Sequence, residues 1–390
     1  MTDLDQRLRQ PETETKIEAM RRDLRAFAHP HPGAPRGLPG AFYTDPDFFE
    51  HEKRTILADG WHCLARGDEI PNDGNYIALK LLDEPIILVR HKGEVRALSN
   101  VCRHRGMPIA SGQGRAKLFV CPYHAWSYRT DGGLQRAARM ENAGFDPGSC
   151  RLPSFACVER FGFIYVNLSD TPPDLDSMVK GLARVMAPYE PSAYRHVHTA
   201  HEVWNTNWKC LVENFMEGYH LSVVHPQTLH GYTPTELSKK GPSGPGYTSY
   251  YAQYPQDIPS RGRGAKSLRK SQRHRSFLWA AYPGQVASIA PSLLVSLSLL
   301  PQSADRVDVR WTMSVYGDEL DDATIQDRID LWTDVNREDR EKLEVMQGAL
   351  RSRHADGGPL AGEHYEGTVK DFLKWVARRD KATGAALKGG

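Results

Sequence analysis

Residues 102–124 read CRHRGMPIASGQGRAKLFVCPYH, and the reading of the whole chain turns on this stretch. It contains Cys102-x-His104 and, after sixteen residues, Cys121-x-x-His124. Two thiolates and two imidazoles divided between two loops suit a [2Fe–2S] cluster of the Rieske type, with both cysteines on one iron and both histidines on the other. Neutral imidazole ligands leave such a cluster less negative than an all-cysteine one and raise its potential. Zinc is the competing reading, because Cys2His2 is a common structural zinc set, but there the two cysteines usually precede the two histidines. Gly106 permits a tight turn after His104, and Pro122 stiffens the second loop.

A chain of 390 residues predicts two or three domains, and 40% hydrophobic content is enough for real cores. The net charge of +2 gives no sign of a nucleic-acid partner. No apolar run reaches membrane-spanning length. Ser288–Leu300 comes nearest, but serines interrupt it and Pro291 and Pro301 bracket most of it, so it reads as a buried strand. The N-terminal MTDLDQRLRQ lacks the basic start and apolar core of a signal peptide. Of six cysteines, Cys63, Cys150, Cys157 and Cys210 show no framework spacing and read as free thiols in a cytoplasmic protein.

Apolar positions at helical spacing (Ile17, Met20, Leu24, Phe27) predict a helix over Thr13–Phe27 capped by Thr13, followed by a Pro/Gly-rich arm over His29–Gly40. From Phe48 to Leu168 the pattern is one of short strands, including Tyr76–Lys80, Pro85–Arg90 and Val95–Asn100. Beyond Pro172-Pro173, helices are expected at Leu175–Met186, Trp208–Leu221, Asp322–Leu350 and Glu366–Arg379, with strands at Gln285–Leu300 and Asp305–Tyr316. The resulting division is an N-terminal arm (1–47), a cluster domain (48–170) and a larger domain (171–390).

A second metal site is suggested by His220 and His225. Five residues on a regular helix separate two side chains by roughly 140°, so the helix must end or bulge between them, as Pro226 encourages. Alone, such a pair is more often structural. A one-electron cluster upstream needs an acceptor, however, and a two-histidine, one-carboxylate iron site with three open positions is a natural one. The carboxylate has to come from elsewhere; Asp334, Glu338, Asp339, Glu341 and Glu344 all stand on the long C-terminal helix, and pattern alone does not choose among them.

Both Cys–His loops, together with Asn207-Trp-Lys…Glu213-Asn214…Tyr219-His220-x4-His225, resemble the Rieske non-haem iron oxygenases, specifically their catalytic α-subunits. The resemblance runs from about Phe48 to the C-terminus. It implies an α+β fold: a Rieske-type β-domain plus a catalytic domain of antiparallel sheet wrapped around a long helix. It also implies a mononuclear Fe(II) on His220, His225 and a carboxylate, and a homotrimer in which electrons cross between subunits. Family members often follow a Glu-Asp pair with Gln eight residues beyond the Asp. Glu338-Asp339 followed by Gln347 matches, which points to Asp339 as the third ligand, with Glu338 and Asp334 as runners-up. At the position three before the first iron histidine the family usually has Asp, bridging the metal centres of adjacent subunits. Here it is Glu217, as in some members that act on quaternary ammonium compounds. The alternative role for Glu217 is only to orient His220 from the same helix face.

The implied function is oxygenation of a small organic substrate, by hydroxylation or oxidative demethylation, with O2 and electrons from NAD(P)H through a separate flavin or ferredoxin-type reductase. Tyr232, Tyr247, Tyr250, Tyr251, Tyr254, Phe277 and Trp279 fall in the region expected to wall the substrate. They could cage a quaternary ammonium group, stack on an aromatic acid, or simply pack. The basic stretch Arg261–Arg275 reads first as a solvated mobile loop, and otherwise as a dock for an acidic reductase or a substrate carboxylate. A plain Rieske-type electron carrier is the contrasting function, disfavoured by about 220 residues beyond the cluster domain.

Overall fold

The structure, a computed structural model, describes residues 14–29, 33–140 and 144–386. Among the described residues, two seven-stranded antiparallel sheets and a small three-stranded sheet form the framework on which the helices pack. Helix α1 (Lys16–Ala26) is capped by Thr15, whose side chain and Glu18 form a capping box. The expected cap, Thr13, lies outside the described residues. Helices α2 (Ala41–Thr44) and α3 (Pro46–Glu52) follow, the latter capped by Asp45.

The first domain comprises β1 (His62–Arg66), β2 (Asn75–Leu81), β3 (Glu84–His91), β4 (Glu94–Ser99), β5 (Gln113–Arg115), β6 (Leu118–Val120), β7 (Ser127–Arg129), β8 (Leu134–Arg136), β9 (Ser154–Arg160) and β10 (Phe163–Asn167). The main sheet runs β1-β10-β9-β4-β3-β2-β5, and β6-β7-β8 form the small one. The two predicted ligand loops leave β4 and β6 side by side. A local core beneath them gathers Ile87, Val89, Leu98, Phe119, Trp126, Tyr128 and Leu134 around Cys102 and Cys121.

After α4 (Leu175–Met186), predicted to the residue, comes the second domain. Its strands are β11 (Tyr194–Trp204), β12 (Ser238–Lys240), β13 (Tyr247–Gln253), β14 (Arg275–Ala281), β15 (Gln285–Ala290), β16 (Leu293–Ser303) and β17 (Arg306–Tyr316), in the order β11-β17-β16-β15-β14-β13-β12. Its helices are α5 (Trp208–Phe215), α6 (Leu221–Val224), α7 (Lys270–Arg273), α8 (Asp322–Ala349) and α9 (Glu363–Ala386). The single strand expected over Gln285–Leu300 is instead a hairpin, β15 pairing with β16 across Pro291-Ser292. Proline lacks the N–H that a continuous ladder would need. Strand alternation then sorts the sheet's two faces. Val286, Val295, Leu297, Val309 and Trp311 face a core shared with α5, α8 and α9, whereas Phe277, Trp279, Ala287, Ile289 and Leu294 face α4 and the first domain.

The N-terminal segment is tied to the start of α5 by a fully buried ion pair, Lys209 Nζ to Glu52 Oε2 at 2.8 Å, with Trp208 Nε1 donating to the same oxygen at 3.4 Å. Burial pushes the Glu52 carboxyl up against the pull of Lys209. Glu52→Gln leaves the ammonium uncompensated and should cost about 3–5 kcal/mol in chemical denaturation, and Glu52→Gln/Lys209→Met should recover most of it.

Candidate metal centres

The two Cys–His loops are near-copies of one another. Cys102 N donates to Met107 O (2.9 Å) and Gly106 N to Cys102 O (3.0 Å); Cys121 N donates to Trp126 O (2.8 Å) and Ala125 N to Cys121 O (3.0 Å). Each loop therefore closes on its cysteine with the residue four places on in the left-handed region, Gly106 at φ +76° and Ala125 at φ +57°. Glycine takes that conformation freely, whereas alanine is held there against a steric cost. Both cysteines are buried and both histidines exposed. The imidazoles of His104 and His124 lie 4.7 Å apart, His104 stacking on Trp126 at 5.0 Å. Arg103 N donates to Tyr128 Oη at 2.9 Å, leaving the phenol's own proton for Cys102 Sγ at 3.3 Å.

Among the described residues, only His220, His225 and Asp339 bring donor atoms of three such side chains within 4.8 Å of one another. The four donors of the Cys–His loops do not converge to that degree. That suits a two-iron cluster and argues against a single tetrahedral zinc.

Local sequence explains how the histidines converge. The helix expected over Trp208–Leu221 stops at Phe215, and a one-turn helix, α6, begins only after His220. Between them Glu217 competes with the helical ladder, its Oε2 accepting from Tyr219 N and from His220 N (3.1 Å). Gly218 fits because a Cβ there would meet Ser238 Oγ at 2.1 Å. The shared helix face expected for Glu217 and His220 is therefore absent; the turn itself brings the Glu217 carboxylate onto His220 Nδ1. His225, at the C-cap of α6, points its Nδ1 to Glu338 Oε2 at 2.7 Å, and Thr228 Oγ1 donates to the same oxygen at 2.7 Å.

With each Nδ1–H held by a carboxylate, the Nε2 lone pairs face inward. His225 Nε2 lies 3.1 Å and His220 Nε2 3.6 Å from Asp339 Oδ1, a buried oxygen with no hydrogen-bond donor of its own. Such a donor set fits a divalent iron of the two-histidine, one-carboxylate kind. Burial lowers the His220 imidazole pKa, but the hydrogen bond and charge of Glu217, with Asp339, more than offset this and raise it. Asp334 and Glu341 pair with Arg337 on the outer face of α8, and Glu344 accepts from Asn205. Glu338 belongs to His225's far edge, a role that spacing alone did not reveal; its adjacency to Asp339 is the available signal.

The aromatic wall is smaller than expected. Tyr247, Phe277 and Trp279 are buried on the sheet face away from α8, with Tyr251 packed against them, because strand alternation sends them there. Tyr250 lies on the α8 side, where after burial the charges of Glu217 and Asp339 raise its pKa further. The basic stretch is part solvated and part packed: Arg263, Lys266, Arg269 and Lys270 are exposed, whereas Arg261 is buried and Arg273 and Arg275 are half-buried. Arg273 donates to Ala265 O (2.9 Å) and Leu268 O (3.1 Å), Ala265 and Leu268 are buried in the second core, and Arg275 lies over Tyr251 at 3.9 Å.

A β-domain presenting paired Cys–His loops, joined to a sheet-and-helix domain that gathers two histidines and a carboxylate, defines a protein with two redox-type metal sites. The chain belongs to the Rieske oxygenase α-subunits: residues 60–156 match the Rieske [2Fe-2S] domain, and residues 191–381 match the ring hydroxylating alpha subunit catalytic domain. It is 37% identical over 194 residues to the carnitine monooxygenase oxygenase subunit of Escherichia coli K12 (48% of this chain, 52% of the relative). It is 38% identical over 195 residues to the glycine betaine monooxygenase oxygenase subunit of Chromohalobacter salexigens (50% and 44%). The chain thus spans about half the length of the curated relatives it matches. Among solved structures, a quaternary ammonium Rieske monooxygenase superposes at TM-score 0.80 with 25% identity, over 90% of this chain and 97% of the other. Naphthalene 1,2-dioxygenase from Rhodococcus shares the fold at TM-score 0.81 and 18% identity, over 95% and 99%.

Glu213, on α5, points away from the histidines to Tyr43, whose Oη donates to it at 2.8 Å. Burial raises this carboxyl to about 7, from an ordinary 4.5. Folding therefore favours the protonated form, so stability should fall as pH rises from about 4.5 to about 7, by on the order of 3 kcal/mol. Glu213→Gln should flatten that part of the profile in denaturation at several pH values and stabilise the protein above pH 7.

Proposed function

We propose that this chain is the oxygenase component of a reductase-driven system. It would use O2 to hydroxylate or oxidatively demethylate a small organic molecule, either a quaternary ammonium compound or an aromatic acid. The observation that carries this reading is the convergence of His220, His225 and Asp339 in a chain that also presents the paired Cys–His loops. Cys102, His104, Cys121 and His124 would hold the [2Fe–2S] cluster, and His220, His225 and Asp339 the iron. Bound there, the iron would supply O2 activation and the cluster one-electron delivery from NAD(P)H through the reductase.

The chain's own residues prepare both sites. Glu338, fixed by Thr228, keeps the proton on His225 Nδ1, and Glu217 does the same for His220. Tyr128 steadies Cys102. We assign residues 48–170 to the cluster module, 171–390 to the oxygenase module and 1–47 to an arm bracing the latter, as the Tyr43–Glu213 hydrogen bond and the Arg21–Asp380 ion pair support.

We place the protein in the cytoplasm as a homotrimer. Among the described residues no helix is long and apolar enough to cross a membrane, and all six cysteines are free. Two groups of exposed apolar side chains favour assembly: Met107, Val120 and Tyr123 at the Cys–His loops, and Tyr219 and Val223 in the segment that follows Glu217. Packing the first of one subunit on the second of the next would bring an exposed cluster histidine to the Glu217 carboxylate.

Two measurements test the proposal. The loaded protein should contain about three irons per chain, falling to about two in Asp339→Ala with the cluster's absorption intact; two in both proteins would favour a plain electron carrier. Glu217→Gln should slow single-turnover oxidation of the reduced cluster by about 10–100-fold at unchanged iron content, and an unchanged rate would remove the bridging role.

A further inference from the structure

Arg261 has a charge that nothing among the described residues answers. The residue is 9% exposed, and its Nε and Nη2 atoms are buried without a hydrogen-bond partner. Its guanidinium lies 4.1 Å from the ring centroid of Tyr232 and 5.8 Å from that of Tyr254. No carboxylate pairs with it among the described residues. Another cation, Arg328 of α8, acts on it electrostatically and makes no ion pair among the described residues. A guanidinium remains protonated under any ordinary condition and carries five N–H donors. Burying it without acceptors is costly, and its two aromatic neighbours would pack equally well on an apolar side chain.

The position of this cation relates it to the metal site. On α8, Arg328, Trp332, Val335 and Asp339 follow one another at intervals of four, three and four residues, one stripe of the helix. Eleven residues place Arg328 about 16 Å along the axis from Asp339. The segment after His225 meets this helix where Thr228 donates to Glu338, and further on its Tyr232 ring packs on Arg261. Arg328 thus stands at one end of an α8 face whose other end carries the candidate iron ligand, and Tyr232 ties Arg261 to the segment that follows His225.

We propose that Arg261 and Arg328, with the rings of Tyr232 and Tyr254, bind the carboxylate of the substrate, so that the oxygenase acts on organic acids held by the end remote from the reacting group. This rests on the oxygenase reading above. The same cations select acids over their amides and esters, because an uncharged head leaves the buried guanidinium unanswered. The aromatic rings cover the flanks of the guanidinium and leave its N–H edge to an anion.

The test uses the full iron-loaded chain and two acid/amide pairs, benzoate with benzamide and 4-(trimethylammonio)butyrate with its amide, alongside acetate and sulfate. Thermal midpoints and titration calorimetry report binding; NADH and O2 consumption report turnover. At least one acid should bind 10-fold or more tighter than its amide. Arg261→Met should raise the ligand-free midpoint and abolish that ratio, whereas a merely structural arginine would lower the midpoint on removal. Arg328→Gln should reduce the ratio part-way. If Arg261→Met does not fold, Arg261→Lys and Arg328→Gln decide by the same ratio. Equal affinity for acids and amides, an undiminished ratio in the variants, sulfate binding as tightly as the organic acids, or no carboxylate binding at all would each overturn the assignment. Turnover that ignores the acid head leaves the oxygenase reading standing and removes this site. Arg261-dependent acid binding without any O2 uptake does the reverse.

Discussion

Two hydrogen bonds on the outer edges of two imidazoles govern the candidate metal site of this protein. Glu217 and Glu338 each accept the proton on a histidine Nδ1, and only then do both Nε2 lone pairs point to the same place as Asp339. The two carboxylates reach their histidines by different routes. Glu217 does so through a turn that breaks a helix, and Glu338 from a helix far away in the chain. The site therefore forms only when the break after Phe215 and the register of α8 are both correct. Much of the surrounding architecture secures those two conditions. Asn207 caps α5 and Gln347 of α8 accepts from Asn207 N at 2.9 Å, so the start of one element is pinned to the end of the other.

Charge burial divides into two kinds. Glu52 with Lys209, and Glu69 with Arg310, are buried cations and anions that satisfy each other and join parts of the chain distant in sequence. Such pairs add specificity more than stability, since the desolvation of two charges offsets most of their attraction. Arg261 is of the other kind, a buried cation with no anion among the described residues, and Glu213 is a buried acid whose pKa burial raises to about 7. Proteins tolerate groups of this kind at a cost in stability, and their presence marks where a chain serves something other than its own folding.

The ligand loops were legible because cluster chemistry demands particular residue types at short spacing, and short spacing survives any uncertainty in the fold. Long helices such as α4 and α8 were legible through their period and their limits. The break at Glu217 was not, because Trp208–Leu221 keeps helical periodicity while one glutamate side chain outbids the ladder for two N–H groups. The hairpin at Pro291-Ser292 was hidden inside a uniformly apolar run. The aromatics of β13 and β14 were assigned to one wall, although alternation sends neighbouring residues to opposite sides of a sheet. Tyr250 therefore separates from Tyr247 and Tyr251. For Arg261 the local sequence, full of cations without acids, resembled solvated chain; only tertiary packing against Tyr232 and Tyr254 shows that it is buried.

Glu338 and Asp339 are adjacent on α8, and they meet opposite edges of a single ring, His225 Nδ1 and His225 Nε2. The imidazole works as a peg through the helix. A slide or rotation of α8 by one residue would trade one carboxylate for the other and lose both contacts. A 28-residue helix pinned this way moves as a rigid lever. Any tilt imposed near its N-terminal third must be felt at the peg, and whatever tightens the peg must stiffen the far arm by an equal free energy.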